Sequence, residues 1–132
     1  MLIEIKTKAK RTADGREKTF TEYYLTDAET FPEAALMLDR NMAGVPYEII
    51  YMKLSQFSEL YEGAPEEVPY AASLLTWFED DSGNVKPSRY KILVWSDTLA
   101  HATDRVNEIS SQGYDMAVEG IKKSQFTYIH AQ

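Results

Sequence analysis

The chain has 132 residues and a mass of 15.1 kDa, with 44% hydrophobic and 27% charged residues. These values are typical of one compact globular domain and exclude a multidomain enzyme, a fibrous repeat and a disordered chain. Because the chain contains no cysteine, disulfides, a thiol nucleophile, an iron–sulfur cluster and a thiolate zinc site are excluded. The formal net charge of -7 disfavours general nucleic-acid binding. Only residues 1–23, with six basic and four acidic side chains, are locally basic.

The amino-terminal sequence MLIEIKTKAK has an acidic residue and alternating lysines where a secretory signal needs an unbroken apolar run. No apolar stretch approaches the length of a membrane span. We therefore expect a soluble, cytoplasmic protein without membrane association.

The first half of the chain shows the element order strand, strand, helix, strand. Asp14-Gly15 separates an alternating run at 3–9 from a β-forming run at 19–26, which predicts a hairpin. Thr30 is a suitable N-cap for a helix that begins at Phe31 and ends before a glycine. Residues 45–54 then read as a strand.

The same order returns after a linker predicted at residues 61–69, which is rich in proline and glutamate. Gly83 and Thr98 lie 68 residues after Gly15 and Thr30, and the tripeptide Ser-Gln-Phe recurs at 55–57 and 124–126. The predicted organisation is thus one compact α+β domain with a tandem ββαβ repeat, in which residues 1–60 and 70–132 are the two copies. We expect a largely antiparallel, six-stranded sheet with two helices on one face. The closing strand of the second copy is expected at 114–123.

Both faces of the predicted strand 45–54 are apolar, and so are both faces of the strand at 90–95. In a two-layer fold one sheet face is exposed, so a second apolar face needs a cover. We expect a homodimer through Ile50, Met52 and Trp95. Lysine and arginine stems with the linker folded back are the alternative cover.

No short catalytic, phosphate-binding or metal-binding motif is present. Asp97 and His101 have an i, i+4 spacing that suits two metal ligands, but a solvated helix start explains it better. The acidic residues at 79–81 do not have the spacing of a calcium loop. We therefore expect a non-enzymatic protein with no cofactor and no metal.

Tyrosines and tryptophans on predicted strands, next to a basic hairpin, are typical of small folds that stack unpaired bases. The candidate nucleic-acid-binding residues are Lys6, Lys8, Lys10, Arg11, Arg16, Lys18 and Tyr23. They suit a binding module for single-stranded nucleic acid. Two alternatives stay open: an acidic factor that binds a basic protein through residues 27–67, and a small-ligand pocket between the repeats.

Two short motifs connect the first strands to the helix. They are Tyr24-Leu25-x-Asp27-Ala28 and Thr30-Phe31-x-Glu33-Ala34. In this order the chain resembles, mainly over residues 2–60, an uncharacterised family of small proteins common in Bacteroides-type bacteria and their phages. The resemblance implies an accessory role in nucleic-acid transactions or in blocking a host defence, and it implies no catalytic residue.

Overall fold

A computed structural model of the chain describes residues 1–113 and 116–130. The chain divides into two compact units, each with a four-stranded sheet and one helix. The first unit contains Met1–Ser55 and Gln125–Gln132, and the second contains Gln56–Ser124. The α+β class and the ββαβ order predicted from the sequence are confirmed.

The first unit contains five elements. They are β1 (Leu2–Ala13), β2 (Arg16–Asp27), α1 (Phe31–Asn41), β3 (Tyr47–Leu54) and β8 (Phe126–Ile129). The strand order in its sheet is β3-β1-β2-β8, and β8 runs parallel to β2 while the other pairs are antiparallel. Asp14 and Gly15 both have positive φ, at 52° and 74°, as a two-residue hairpin turn requires.

Helix α1 begins where its cap predicts. The Thr30 hydroxyl accepts a hydrogen bond of 3.2 Å from the Glu33 amide, which satisfies one amide of the first turn. Leu38 is buried in a core cluster with Ile3 and Ile5 of β1. Because side chains alternate along a strand, the odd-numbered residues of β1 face α1. We call the opposite side of this sheet its outer face.

The second unit repeats this arrangement. Its elements are β4 (Phe57–Tyr61), β5 (Val68–Glu79), β6 (Val85–Ser96), α2 (Leu99–Ser111) and β7 (Met116–Lys123). The strand order is β4-β6-β5-β7, and β4 runs parallel to β6. Thr98 caps α2, and Val106 of this helix packs in the core with Ala72 and Ile92. Residues 114 and 115 of the predicted closing strand lie outside the described residues.

The expected single six-stranded sheet is replaced by two four-stranded sheets. The difference comes from β4 and β8, which have five and four residues and were not predicted. Strands this short show no clear periodicity, and each pairs with a strand distant in sequence. Each compact unit thus combines the ββαβ of one repeat with the last strand of the other. The loop between β4 and β5 spans residues 62–67, so the predicted linker 61–69 is shorter than expected because its ends are paired strands.

A β-bulge changes the expected faces of β3. Lys6 lies opposite Tyr51 and Thr7 lies opposite Ile49, so Ile50 is an extra residue in β3. A bulge of this kind reverses the inward and outward alternation beyond it. Ile49 and Met52 consequently both pack toward the core, whereas the expected pattern placed them on opposite faces. The equivalent extra residue in the second unit is Glu119 of β7.

Candidate nucleic-acid interface

Lysine and tyrosine side chains meet on the outer face of the first sheet. Lys6 lies opposite Tyr23 of β2 and Tyr51 of β3, and its Nζ is 5.9 Å and 6.0 Å from the two ring centroids. The Lys53 Nζ is 5.2 Å from the Tyr51 centroid. These are cation–π distances. We name this surface the lysine–tyrosine face, and it consists of Lys6, Lys8, Lys10, Lys53, Tyr23, Tyr51 and Phe126.

One row of this face crosses all four strands of the sheet. It runs from Tyr51 through Lys6 and Tyr23 to Phe126, which lies opposite Tyr23 in β8. The Tyr23 and Phe126 rings are 5.9 Å apart between centroids, at an interplanar angle of 72°. This is an edge-to-face pair. The row therefore offers three half-buried aromatic rings, two of which lie beside the Lys6 ammonium group.

Carboxylates limit the positive charge of this face to part of its length. Glu4 is 6% exposed, accepts a hydrogen bond of 3.3 Å from Ser55 and pairs with Lys53 at 3.8 Å. Glu48 lies opposite Lys8 on β3. Lys8 and Lys10 are exposed. The strongest positive potential on this face should lie toward the turn of the β1–β2 hairpin, where β1 and β2 extend beyond the end of β3.

Arg11 does not belong to this face, although the sequence placed it in the same candidate set. It projects on the α1 side and forms a bidentate pair with Glu22, with Nε–Oε2 and Nη2–Oε1 distances of 2.8 and 3.0 Å. The Tyr24 hydroxyl donates to the same carboxylate at 2.8 Å and lies 3.4 Å from the Met42 sulfur. Arg11 therefore stabilises the base of the hairpin.

The charge state of this network follows from its hydrogen bonds. The bond to Glu22 raises the pKa of Arg11. Burial by itself would raise the pKa of Glu22, but the hydrogen bonds from Arg11 and Tyr24 outweigh burial and lower it. Both partners are thus charged over the whole neutral range.

Arg16 and Lys18 also lie on the α1 side of the hairpin. Arg16 is opposite Ala13 and Lys18 is opposite Arg11. Because paired residues project from the same face and odd-numbered residues of β1 face α1, Arg16 and Lys18 also project from the α1 side. Lys18 pairs with Asp14 at 3.8 Å. The structure therefore brings together Lys6, Lys8, Lys10 and Tyr23, and it separates them from Arg11, Arg16 and Lys18.

Tyr51, Lys53 and Phe126 belong to the surface but were absent from the predicted site. The bulge at Ile50 sets the position of Tyr51 and Lys53, and the pairing of β8 with β2 sets that of Phe126. Neither feature has a signal in a single sequence. The sequence does indicate that Tyr51 and Lys53 share one face, because they lie two residues apart on a predicted strand.

The predicted dimer residues lie in three different environments. Ile50 is 41% exposed at the bulge, Met52 packs against the first core, and Trp95 is only 7% exposed. Trp95 is therefore a poor candidate for contact with a partner. The homodimer stays a prediction.

Among its described residues, the second unit does not repeat the lysine–tyrosine face. The hairpin registers place Ser73 and Trp77 at the positions equivalent to Lys6 and Lys10. Glu119 accepts from Ser73 at 2.9 Å and from Arg89 at 2.8 Å. Hydrogen bonds from Arg89 and Ser73 lower the pKa of Glu119 to about 2. Arg89 is thus neutralised by a close carboxylate.

Two further polar clusters offer little chemistry. The exposed Asp97 carboxylate lies 2.7 Å from the His101 Nδ1, and this contact raises the pKa of His101. Glu59 accepts hydrogen bonds from Tyr61 and Tyr90. The pKa of Tyr90 is raised mainly by burial and also by its hydrogen bond to Glu59.

In residues 1–113 and 116–130, no three potential metal-ligating side chains cluster. No helix within these ranges is long and apolar enough to cross a membrane.

The fold and surface define a class: an α+β protein of two similar units, of which one has a lysine–tyrosine face. A family model described as Domain of unknown function (DUF4494) matches residues 2–131. The chain belongs to this family. Membership of an uncharacterised family, predicted mainly from residues 2–60, is thereby confirmed, and the match covers nearly the whole chain. No curated protein and no solved structure matches the chain.

Proposed function

We propose that the protein is a non-enzymatic binding module whose first unit binds single-stranded nucleic acid across the lysine–tyrosine face. The observation that carries the proposal is the position of Lys6 between the rings of Tyr23 and Tyr51. Unpaired bases stack on aromatic rings while ammonium groups bind the adjacent phosphates. A phage or mobile-element setting, implied by the resemblance, would suit an accessory role of this kind.

The charge distribution supports a small, salt-sensitive site. The net charge of -7 repels a polyanion from most of the surface. Phosphate contacts by Lys6, Lys8 and Lys10 would give a slope of log affinity against log salt of about -2, at roughly 0.7 per contact for a single strand. Each stacked base contributes about 1–3 kcal/mol. Weak binding at physiological salt and clear binding at low salt are therefore expected.

The test uses a fluorescein-labelled, mixed-sequence, single-stranded oligonucleotide and measures anisotropy between 20 and 200 mM salt. The Lys8→Glu/Lys10→Glu variant changes the outer face of the hairpin. The Arg16→Glu/Lys18→Glu variant makes the same change in net charge on the α1 side. We expect the first variant to lose binding at 20 mM salt and the second to retain most of it. Equal losses would refute the assignment to the outer face.

A Tyr51→Leu variant tests stacking separately from charge. Leucine keeps a β-compatible apolar side chain but has no ring face, so we expect an affinity loss of about 5- to 150-fold. Circular dichroism checks that the sheet is intact. If the wild-type chain binds neither DNA nor RNA oligonucleotides at 20 mM salt, the proposal is wrong.

A further inference from the structure

Each sheet is completed by a strand from the other repeat. β8 ends the second repeat and lies at the edge of the first sheet beside β2. β4 ends the first repeat and lies at the edge of the second sheet beside β6. These two edges are strand-acceptor grooves, because each receives a segment that its own repeat does not supply.

The two grooves hold the phenylalanine of the repeated tripeptide at equivalent positions, and one extra residue, Ser58, follows it in β4. Phe126 lies opposite Tyr23 and Phe57 lies opposite Lys91, so the acceptor positions differ by 91 − 23 = 68 residues, the spacing between the caps Thr30 and Thr98. The serine before each strand is held outside the groove, by the sheet of its own repeat. The Ser55 amide donates to the Leu2 carbonyl of β1 at 2.8 Å, and the Ser124 amide donates to the Pro69 carbonyl of β5 at 3.0 Å.

Both inserted strands are anchored in a core at their far end. Ile129 is 8% exposed and belongs to the first core cluster. Tyr61, the last residue of β4, packs against the second core cluster. The common ligand is thus an extended segment with phenylalanine at its start and a large, mainly apolar side chain three or four residues later.

We propose that the groove beside β2 is a peptide-binding site for this segment, and that its occupant in trans is the carboxyl-terminal strand of a second copy of the chain. Strand addition supplies backbone hydrogen bonds, while Phe126 and Ile129 supply side-chain contacts. A short tether holds the chain's own strand at an effective concentration in the millimolar range. The closed monomer therefore dominates in dilute solution, and exchange between copies becomes significant near that concentration.

The experiment uses the full chain with its own strand weakened by Ile129→Ser. Two labelled heptapeptides are added: SQFTYIH, from residues 124–130, and SQFSELY, from residues 55–61. The control peptide is SQFTYIH with its phenylalanine and isoleucine replaced by serine. We expect both natural peptides to bind the variant about tenfold more tightly than they bind the wild-type chain, whose own strand competes. The control peptide should not bind.

Light scattering of the wild-type chain at about 1 mM tests exchange between copies at the effective concentration of the tether. We expect a dimer that Ile129→Ser abolishes. Peptide binding without this dimer would overturn the proposal that a second copy of the chain occupies the groove. A folded variant that binds neither natural peptide would overturn the groove itself. If Ile129→Ser and the milder Ile129→Ala both unfold, added SQFTYIH must restore the helical circular dichroism signal, and failure to do so also overturns the proposal.

Discussion

Arg11 and Lys10 are adjacent in β1 and project from opposite faces of the hairpin, which makes them a matched pair for mutation. Arg11→Gln removes a bidentate ion pair with Glu22 and the contact with the Tyr24 hydroxyl. Lys10→Gln makes the same change in net charge on the outer face. We expect Arg11→Gln to reduce stability and to leave oligonucleotide binding nearly unchanged. We expect Lys10→Gln to weaken oligonucleotide binding and to leave stability nearly unchanged.

The magnitude follows from the geometry of the pair. Exposed ion pairs contribute about 0–1 kcal/mol, but a bidentate pair that shares its carboxylate with a tyrosine hydroxyl is better ordered and contributes about 1–2 kcal/mol. For a chain of this size, each kcal/mol lowers Tm by about 3–5 °C. Arg11→Gln should thus lower Tm by about 3–10 °C, and Lys10→Gln by less than about 2 °C. Thermal unfolding followed by circular dichroism at pH 7 measures both shifts.

The pH dependence gives a second check. The pKa of Glu22 is lowered in the folded state, so its stabilising effect is complete above the unfolded-state pKa and is lost as the pH falls through the folded-state value. The Tm difference between wild type and Arg11→Gln should therefore be largest near neutral pH and shrink toward pH 3. Equal Tm changes for Arg11→Gln and Lys10→Gln, or a difference independent of pH, would refute the structural role of Arg11.

Two further predictions concern the core and the start of α2. Leu38→Ala in α1 should cost about 2–5 kcal/mol because Leu38 is fully buried, while Leu36→Ala, at a position 50% exposed, should change stability by less than about 0.5 kcal/mol; urea unfolding compares them. The pKa of His101 should exceed its ordinary value and return toward it in Asp97→Asn, as followed by NMR titration. Because this pKa is raised on folding, the contact stabilises the protein below the unfolded-state pKa of histidine, and the effect is lost as the pH rises through the folded-state value.

Local features were predictable because their causes lie within a few residues. The hairpin turn at Asp14-Gly15 needs two residues that tolerate positive φ. The helix starts at Thr30 and Thr98 need a hydroxyl that accepts a hydrogen bond from the amide three residues later. The lysine row of the candidate site was also readable, because alternation places Lys6, Lys8 and Lys10 on one side of any regular strand.

The rest of the site depended on pairing between distant segments. Alternation places the basic residues Lys10 and Arg11 on opposite sides of β1, but only the packing of α1 decides which side faces the core. The bulge at Ile50 brings Tyr51 to the outer face, and it arises from the register between β1 and β3. Registers of this kind are set by the core as a whole and have no local signature.

The amino-acid sequence by itself determined the α+β class, the ββαβ order, the turns and the helix caps, since each depends on residues close together in the chain. Only the tertiary structure decided that the strands form two four-stranded sheets and that each sheet takes its last strand from the other repeat. The physical reason is that β4 and β8 have only five and four residues, so they are stabilised mainly by the acceptor edge and the core that they join. Each acceptor edge, β6 for β4 and β2 for β8, is distant in the sequence, so no local pattern indicates the pairing.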